Sequence, residues 1–134
     1  MKSITLPLKI VNQMLSHAQS EASNEVCGLV SSREGVAQSI YPIPNASADP
    51  SHLYSMDAKA QIDAMRRIRE SDEQLYGIYH SHPSSEAFPS ATDVREAQYS
   101  EAIYFIISLG NDGVLDLRGY RLAGKEIEVL EVVV

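Results

Sequence analysis

The chain has 134 residues, 44% of them hydrophobic, which is enough for one compact core, so residues 1–134 are expected to form a single domain. A formal net charge of -7 without a long basic block argues against a nucleic-acid partner. No long apolar run or signal-peptide pattern occurs and Cys27 is the single cysteine, so a soluble, cytoplasmic protein is expected, with no membrane partner, internal disulfide or multi-cysteine zinc site.

From Pro7 to about Ala22, the apolar residues Val11, Met14, Leu15, Ala18 and Ala22 recur at offsets of three and four, which predicts a helix with Pro7 in its first turn. Val26 to Ser32 and Val36 to Ile43 read as two strands joined by a turn at Gly35. Residues 45–54 (NASADPSHLY) read as a surface loop. Ser55 or Asp57 then caps a second helix with Ala58, Ile62, Met65 and Ile68 on its apolar face and Asp63 paired with Arg67. Leu75 to Tyr79 is a strand that runs into His80 and His82. Pro83 and Pro89 bracket an irregular stretch, and Thr92 begins a short helix with Asp93 in its first turn. Ile103 to Leu109, Val114 to Leu122 and Ile127 to Val134 read as strands, the first two joined by a hairpin turn at "NDG", 111–113. About six strands and three helices, ordered α-β-β-α-β-α-β-β-β, predict an α/β fold: a mixed sheet packed with helices.

His80 and His82 are two residues apart on an extended strand end, so their rings point to one side and Ser81 to the other. Imidazole is the commonest side-chain metal ligand. Two histidines near a strand end also occur as a plain solvated rim, but Ser90 and Asp93 change the balance. Asp93 lies eleven positions after His82, and a loop plus one helical turn can fold back over that distance. Two histidines, one carboxylate and an open fourth position make a catalytic rather than a structural zinc site. Spacing alone leaves iron and manganese open. A carboxylate outside the ligand set is needed as a base, and the candidates are Glu25, Glu86 and Glu96.

Glu25, then His80-Ser81-His82-Pro83, the seven residues Pro83 to Pro89, and Ser90-Ala91-Thr92-Asp93 together resemble the signature of the JAMM (MPN-plus) metalloprotease family. The segments "EVCGLV", "LYSMD" and "GIYHSHP" are similar to the family's order, over roughly residues 5 to 110. The resemblance implies an MPN (cytidine-deaminase-like) domain holding one Zn2+ on His80, His82 and Asp93. It further implies Glu25 as general base and Ser90 as donor to the oxyanion. The compact form resembles bacterial members that act on the C-terminus of ubiquitin-like sulfur-carrier proteins, cleaving a peptide or isopeptide bond. The alternative is a non-catalytic MPN scaffold, a type that lacks the ligands this sequence keeps.

A zinc amidohydrolase barrel also uses H-x-H but needs about 200 residues or more. A nucleobase deaminase would show H-x-E with P-C-x-x-C, which one cysteine excludes. Cys27 reads as a packed small hydrophobe. Gly28 serves either close backbone approach or relief of a crowded strand. His17 and His52 read as surface residues, and residues 45–54 as one wall of a substrate groove. The apolar C-terminal strand could pair with another chain, which leaves an oligomer open.

Overall fold

A computed structural model describes residues 1–111 and 114–134. Its elements in chain order are β1 (Ser3–Thr5), α1 (Leu8–Ser20), β2 (Cys27–Arg33), β3 (Val36–Ile43), α2 (Ala58–Glu70), β4 (Gln74–His82), α3 (Ala91–Glu96), β5 (Ile103–Asn111), β6 (Val114–Ala123) and β7 (Glu126–Val133). The mixed sheet and the three helices match the α/β reading. The sheet order is β1-β7-β6-β5-β4-β2-β3; β4 pairs with β5 and β1 with β7 in parallel, and the other pairs are antiparallel. The predicted NDG turn lies outside the described residues at Asp112 and Gly113.

Two apolar layers flank the sheet because side chains alternate along each strand. On one face Tyr79, Phe105 and Ile107 meet Ile10, Met14 and Ala18 of α1. On the other, Cys27, Ile78 and Ile106 pack with Ala64 and Ile68 of α2. His80 and His82 share the parity of Ile78 and face the α2 side.

Several local expectations shift. β1, three residues long, is too short to carry an alternation and was not predicted; it pairs with Glu131 to Val133. That pairing covers the C-terminal end of β7, the edge expected to be open to another chain. Ala22 lies past the end of α1 and is exposed. The buried face of α2 is rotated: Ala64 and Ile68 are buried with Ala60 and Met65 half-covered, while Ala58 and Ile62 are exposed. Asp63 pairs with Lys59 and Arg66 rather than Arg67, whose guanidinium sits 5.2 Å over the Tyr41 ring. Of the two proposed caps, Asp57 serves, its Oδ2 accepting the Ala60 N–H at 3.0 Å. His17 is half-buried rather than superficial: its Nδ1 and the Tyr79 hydroxyl share a hydrogen bond at 2.7 Å, and burial lowers the His17 pKa.

Gly28 stands where a side chain would have no room. A Cβ built there would clash with the edge and hydroxyl of the Tyr79 ring, so the crowded-strand reading holds. Tyr79 is fully buried and cannot swing aside. Gly28→Ala should therefore destabilise the protein by roughly 1–3 kcal/mol through overpacking. Urea unfolding measures this, and an unchanged midpoint would mean that the Tyr79 ring has a second place to go.

Candidate metal centre

The site is assembled at the C-terminal end of β4. Cys27 pairs with His80 across the antiparallel β2–β4 ladder. Continuing that register two residues back sets Glu25 opposite His82, on the same face of the sheet. Ser81, pointing the other way, locks the junction: its Oγ accepts the Val26 N–H at 2.9 Å and its N–H donates to Val26 O at 3.0 Å. Ser81 thus satisfies local backbone, as the alternation along β4 required.

Asp93 arrives from the crossover between the parallel strands β4 and β5. Ser90 is the N-cap of α3, which starts at Ala91, one residue earlier than the expected helix start at Thr92. Its Oγ accepts the Asp93 N–H at 3.0 Å, while its own N–H donates to Asp93 Oδ2 at 2.9 Å. This reciprocal box fixes the carboxylate and leaves the Ser90 hydroxyl proton free to be donated elsewhere.

Nε2 of His80 and Nε2 of His82 are 3.1 Å apart, and Asp93 Oδ2 lies 3.2 Å from the first and 3.1 Å from the second. A triangle of about this size forms when three ligand atoms each stand roughly 2.0–2.2 Å from one ion with a fourth direction open. The protonation pattern fits too. His82 Nδ1 donates to the Glu86 carbonyl at 2.7 Å, so in the neutral ring the lone pair of Nε2 faces His80 and Asp93. Converging lone pairs repel unless a proton or a cation stands between them. The donor set of two imidazoles and one carboxylate suits zinc.

Electrostatics follow from burial and from this convergence. Burial would raise the Asp93 carboxyl, but hydrogen bonds from His80 and His82 outweigh it and hold the group well below the usual carboxylate range. Burial depresses His80, which is fully enclosed. For His82 burial acts the same way, yet Asp93 and the Glu86 carbonyl overcome it and raise the pKa. Burial lifts the Glu25 carboxyl from 4.5 to about 7, against the opposing pull of His82.

Among the three base candidates, Glu25 is buried, at 6% exposure, and its Oε1 has no hydrogen-bond partner among the described residues. Glu86 and Glu96 are exposed. Cys27 is a packed thiol: it is fully buried, its Sγ donates to Ile43 O, and burial pushes its pKa up to about 12. His52 is exposed and pairs with Asp49. A cavity of about 380 Å³ adjoins Asp93, with Ser47, Leu53 and Tyr54 of the 45–54 segment along one side and Gln61 and Tyr99 along another.

Two residues of the 45–54 segment touch the site in ways the sequence reading did not assign. Tyr54 stacks on His80, ring centroids 4.5 Å apart at 25°. Asn45 bonds to the backbone beside Glu25. The one available signal was the asparagine after Pro44, where turn chemistry is common.

This fold and donor set are those of a metal-dependent hydrolase domain, and the comparisons give its family. The family described as prokaryotic homologs of the JAB domain matches residues 7–121, and the chain belongs to it. It is similar to the CysO-cysteine peptidase of Mycobacterium tuberculosis, at 35% identity over 84% of this chain and 78% of the relative. A probable TtuB-protein conjugate cleaving protease of Thermus thermophilus is 32% identical over 93% of this chain and 80% of the relative. The solution structure of protein DSY2949 from Desulfitobacterium hafniense superposes with a TM-score of 0.85 at 33% identity, covering 97% of this chain and 91% of that one.

Folded Glu25 keeps its proton to a higher pH than unfolded Glu25. Its stabilising contribution is therefore complete below pH 4.5 and is lost as pH rises through about 7. The metal-free Glu25→Gln variant should exceed wild type in stability by at most about 3 kcal/mol near pH 8. The gain should shrink towards zero by about pH 4.5. Urea unfolding at several pH values reads it directly, and a pH-independent gain would show that the carboxyl does not ionise in place.

Proposed function

We propose that this chain is a zinc-dependent peptidase or isopeptidase, one domain over residues 1–134, that hydrolyses a bond at the C-terminus of a ubiquitin-like sulfur-carrier protein in the cytoplasm. The observation that carries the reading is the meeting of His80, His82 and Asp93 beside a buried Glu25 with a free carboxylate oxygen. The free, buried thiol of Cys27 fits a reducing compartment.

His80, His82 and Asp93 are the residues that would hold zinc. Zinc, when bound, supplies a Lewis acid that polarises the scissile carbonyl and brings the pKa of water towards ~7. Glu25 takes the proton of the attacking water and passes it to the leaving amine. Burial raises the proton affinity of this carboxylate, which strengthens it as the base, and a bound cation beside it opposes that rise. Ser90, its Oγ fixed by the α3 cap, donates its hydroxyl proton to the oxygen that gains charge as the carbonyl becomes tetrahedral.

An extended substrate tail suits the cavity beside Asp93, with residues 45–54 as one wall. The substrate class is supported by the two relatives, whose names describe a CysO-cysteine peptidase and a protease that cleaves TtuB-protein conjugates.

Incubating the zinc-loaded protein with a sulfur carrier extended past its Gly-Gly end should remove the extension, seen as a loss of intact mass. Chelator-treated protein should leave it whole. Loss of mass without metal would refute zinc dependence, and no loss with zinc present would reject the proposed substrate class. Glu25→Gln should abolish the reaction while zinc stays bound. Ser90→Ala should lower kcat on the order of 10²–10³-fold. Full activity in either variant would remove the corresponding role.

A further inference from the structure

The segment between β3 and α2 touches the candidate centre at two points, and one side chain organises it. Asn45 Nδ2 donates to Glu25 O and to Leu53 O, each at 2.9 Å. Its Oδ1 accepts the N–H groups of Ser47 and Ser55, each at 3.0 Å. A side-chain amide offers two donors and two acceptor sites, and here all four are engaged by backbone. Backbone bonds close the segment on itself and onto its flanks: Ala46 N–H donates to Ser55 O at 2.7 Å, and Asp57 N–H to Pro44 O at 3.0 Å.

This closed strap grips the candidate base. Glu25 N–H donates to Pro50 O at 2.7 Å, and Glu25 O receives the Asn45 amide, so both peptide groups of Glu25 are tied to the same segment. The strap also lays the Tyr54 ring against His80. His82 is oriented by the hydrogen bond from Nδ1 to Glu86 O, but buried His80 Nδ1 has no partner among the described residues. Metal-binding histidines are normally oriented through that second nitrogen. For His80, Nε2 meets Asp93 and the ring packs beside His82, and the flat face of Tyr54 lies stacked along its plane.

We propose that Asn45 and Tyr54 are positioning residues: Asn45 ties the strap to the Glu25 backbone, and the strap's Tyr54 ring fixes the plane of His80. The base and one ligand are thereby held in register by a single segment. This rests on the reading of the site as a zinc hydrolase.

The test compares wild type, Tyr54→Phe, Tyr54→Leu, Tyr54→Met and Asn45→Ala. Zinc affinity is read by chelator competition, geometry by the visible spectrum of the Co2+-substituted protein, and kcat and KM are measured on the extended carrier. Tyr54→Phe keeps the ring and should bind zinc as tightly as wild type with the same Co2+ spectrum. Leu and Met fill the space without a plane and should weaken zinc binding roughly 10–100-fold, with an altered Co2+ spectrum. Two such variants guard against one failing to fold, which circular dichroism would reveal. Asn45→Ala, folded by the same criterion, should lower kcat by about 10²-fold while KM changes little, as a base displaced by about 1 Å would. If Leu or Met binds zinc as tightly as wild type with an unchanged Co2+ spectrum, the stacking role is wrong. An Asn45→Ala protein with wild-type kcat would overturn the strap's hold on Glu25. Wild type that neither binds zinc nor cleaves the carrier would instead refute the hydrolase reading itself.

Discussion

The parallel pairing of β4 with β5 is the constraint on which the site depends. Two parallel neighbours cannot be joined by a tight turn, so the chain must leave β4 at its C-terminal end and travel over a face of the sheet before β5 begins. The end it leaves is the His80 to His82 end. The crossover, residues 83–102, therefore starts beside the imidazoles, and its first helix returns a carboxylate to them. Sites at the carboxyl ends of strands in α/β sheets arise from this geometry. The antiparallel partner β2 completes the arrangement, because its register carries Glu25 to the same end and face.

Once the donors are brought together, their electrostatics conflict. Burial opposes charge on every member, while Asp93 draws charge onto His82 and is itself stabilised as an anion by both rings. The cluster thus favours whatever cation bridges it, a proton in the free protein or a metal ion when one is supplied. Glu25 sits close enough to feel His82 and Asp93 but accepts no hydrogen bond at Oε1 among the described residues. Desolvation therefore dominates its pKa and raises it to about 7.

What the sequence revealed was what short-range periodicity encodes. Alternation along β4 put His80 and His82 on one face, and the helix expected around Thr92 carried Asp93, because each depends on neighbours within a few residues. The apolar face of α2 was misplaced because periodicity weighs Ile62 as core, whereas tertiary packing leaves it 68% exposed and buries Ala64 instead. β1 escaped because three residues hold no pattern; only the partner strand β7 defines it. For Asn45 and Tyr54 the segment was legible, as a groove wall and within the family-like "LYSMD", but their individual roles were not, because their contacts join segments distant in sequence.

The strap also bears on how the fold tolerates an acid that burial disfavours. Glu25 cannot be relieved by a side-chain partner without blunting it as a base, so any compensation has to come through its backbone. Both of its peptide groups are bonded to residues 45–50, and the neighbouring Val26 amide is held by Ser81. Each such bond contributes modestly, on the order of 1 kcal/mol. Together they restrain the main chain on both sides of the carboxylate while leaving its oxygens uncommitted. Rigidity of the backbone and freedom of the side chain are thus supplied by different bonds, and the 45–54 loop is where the two are reconciled.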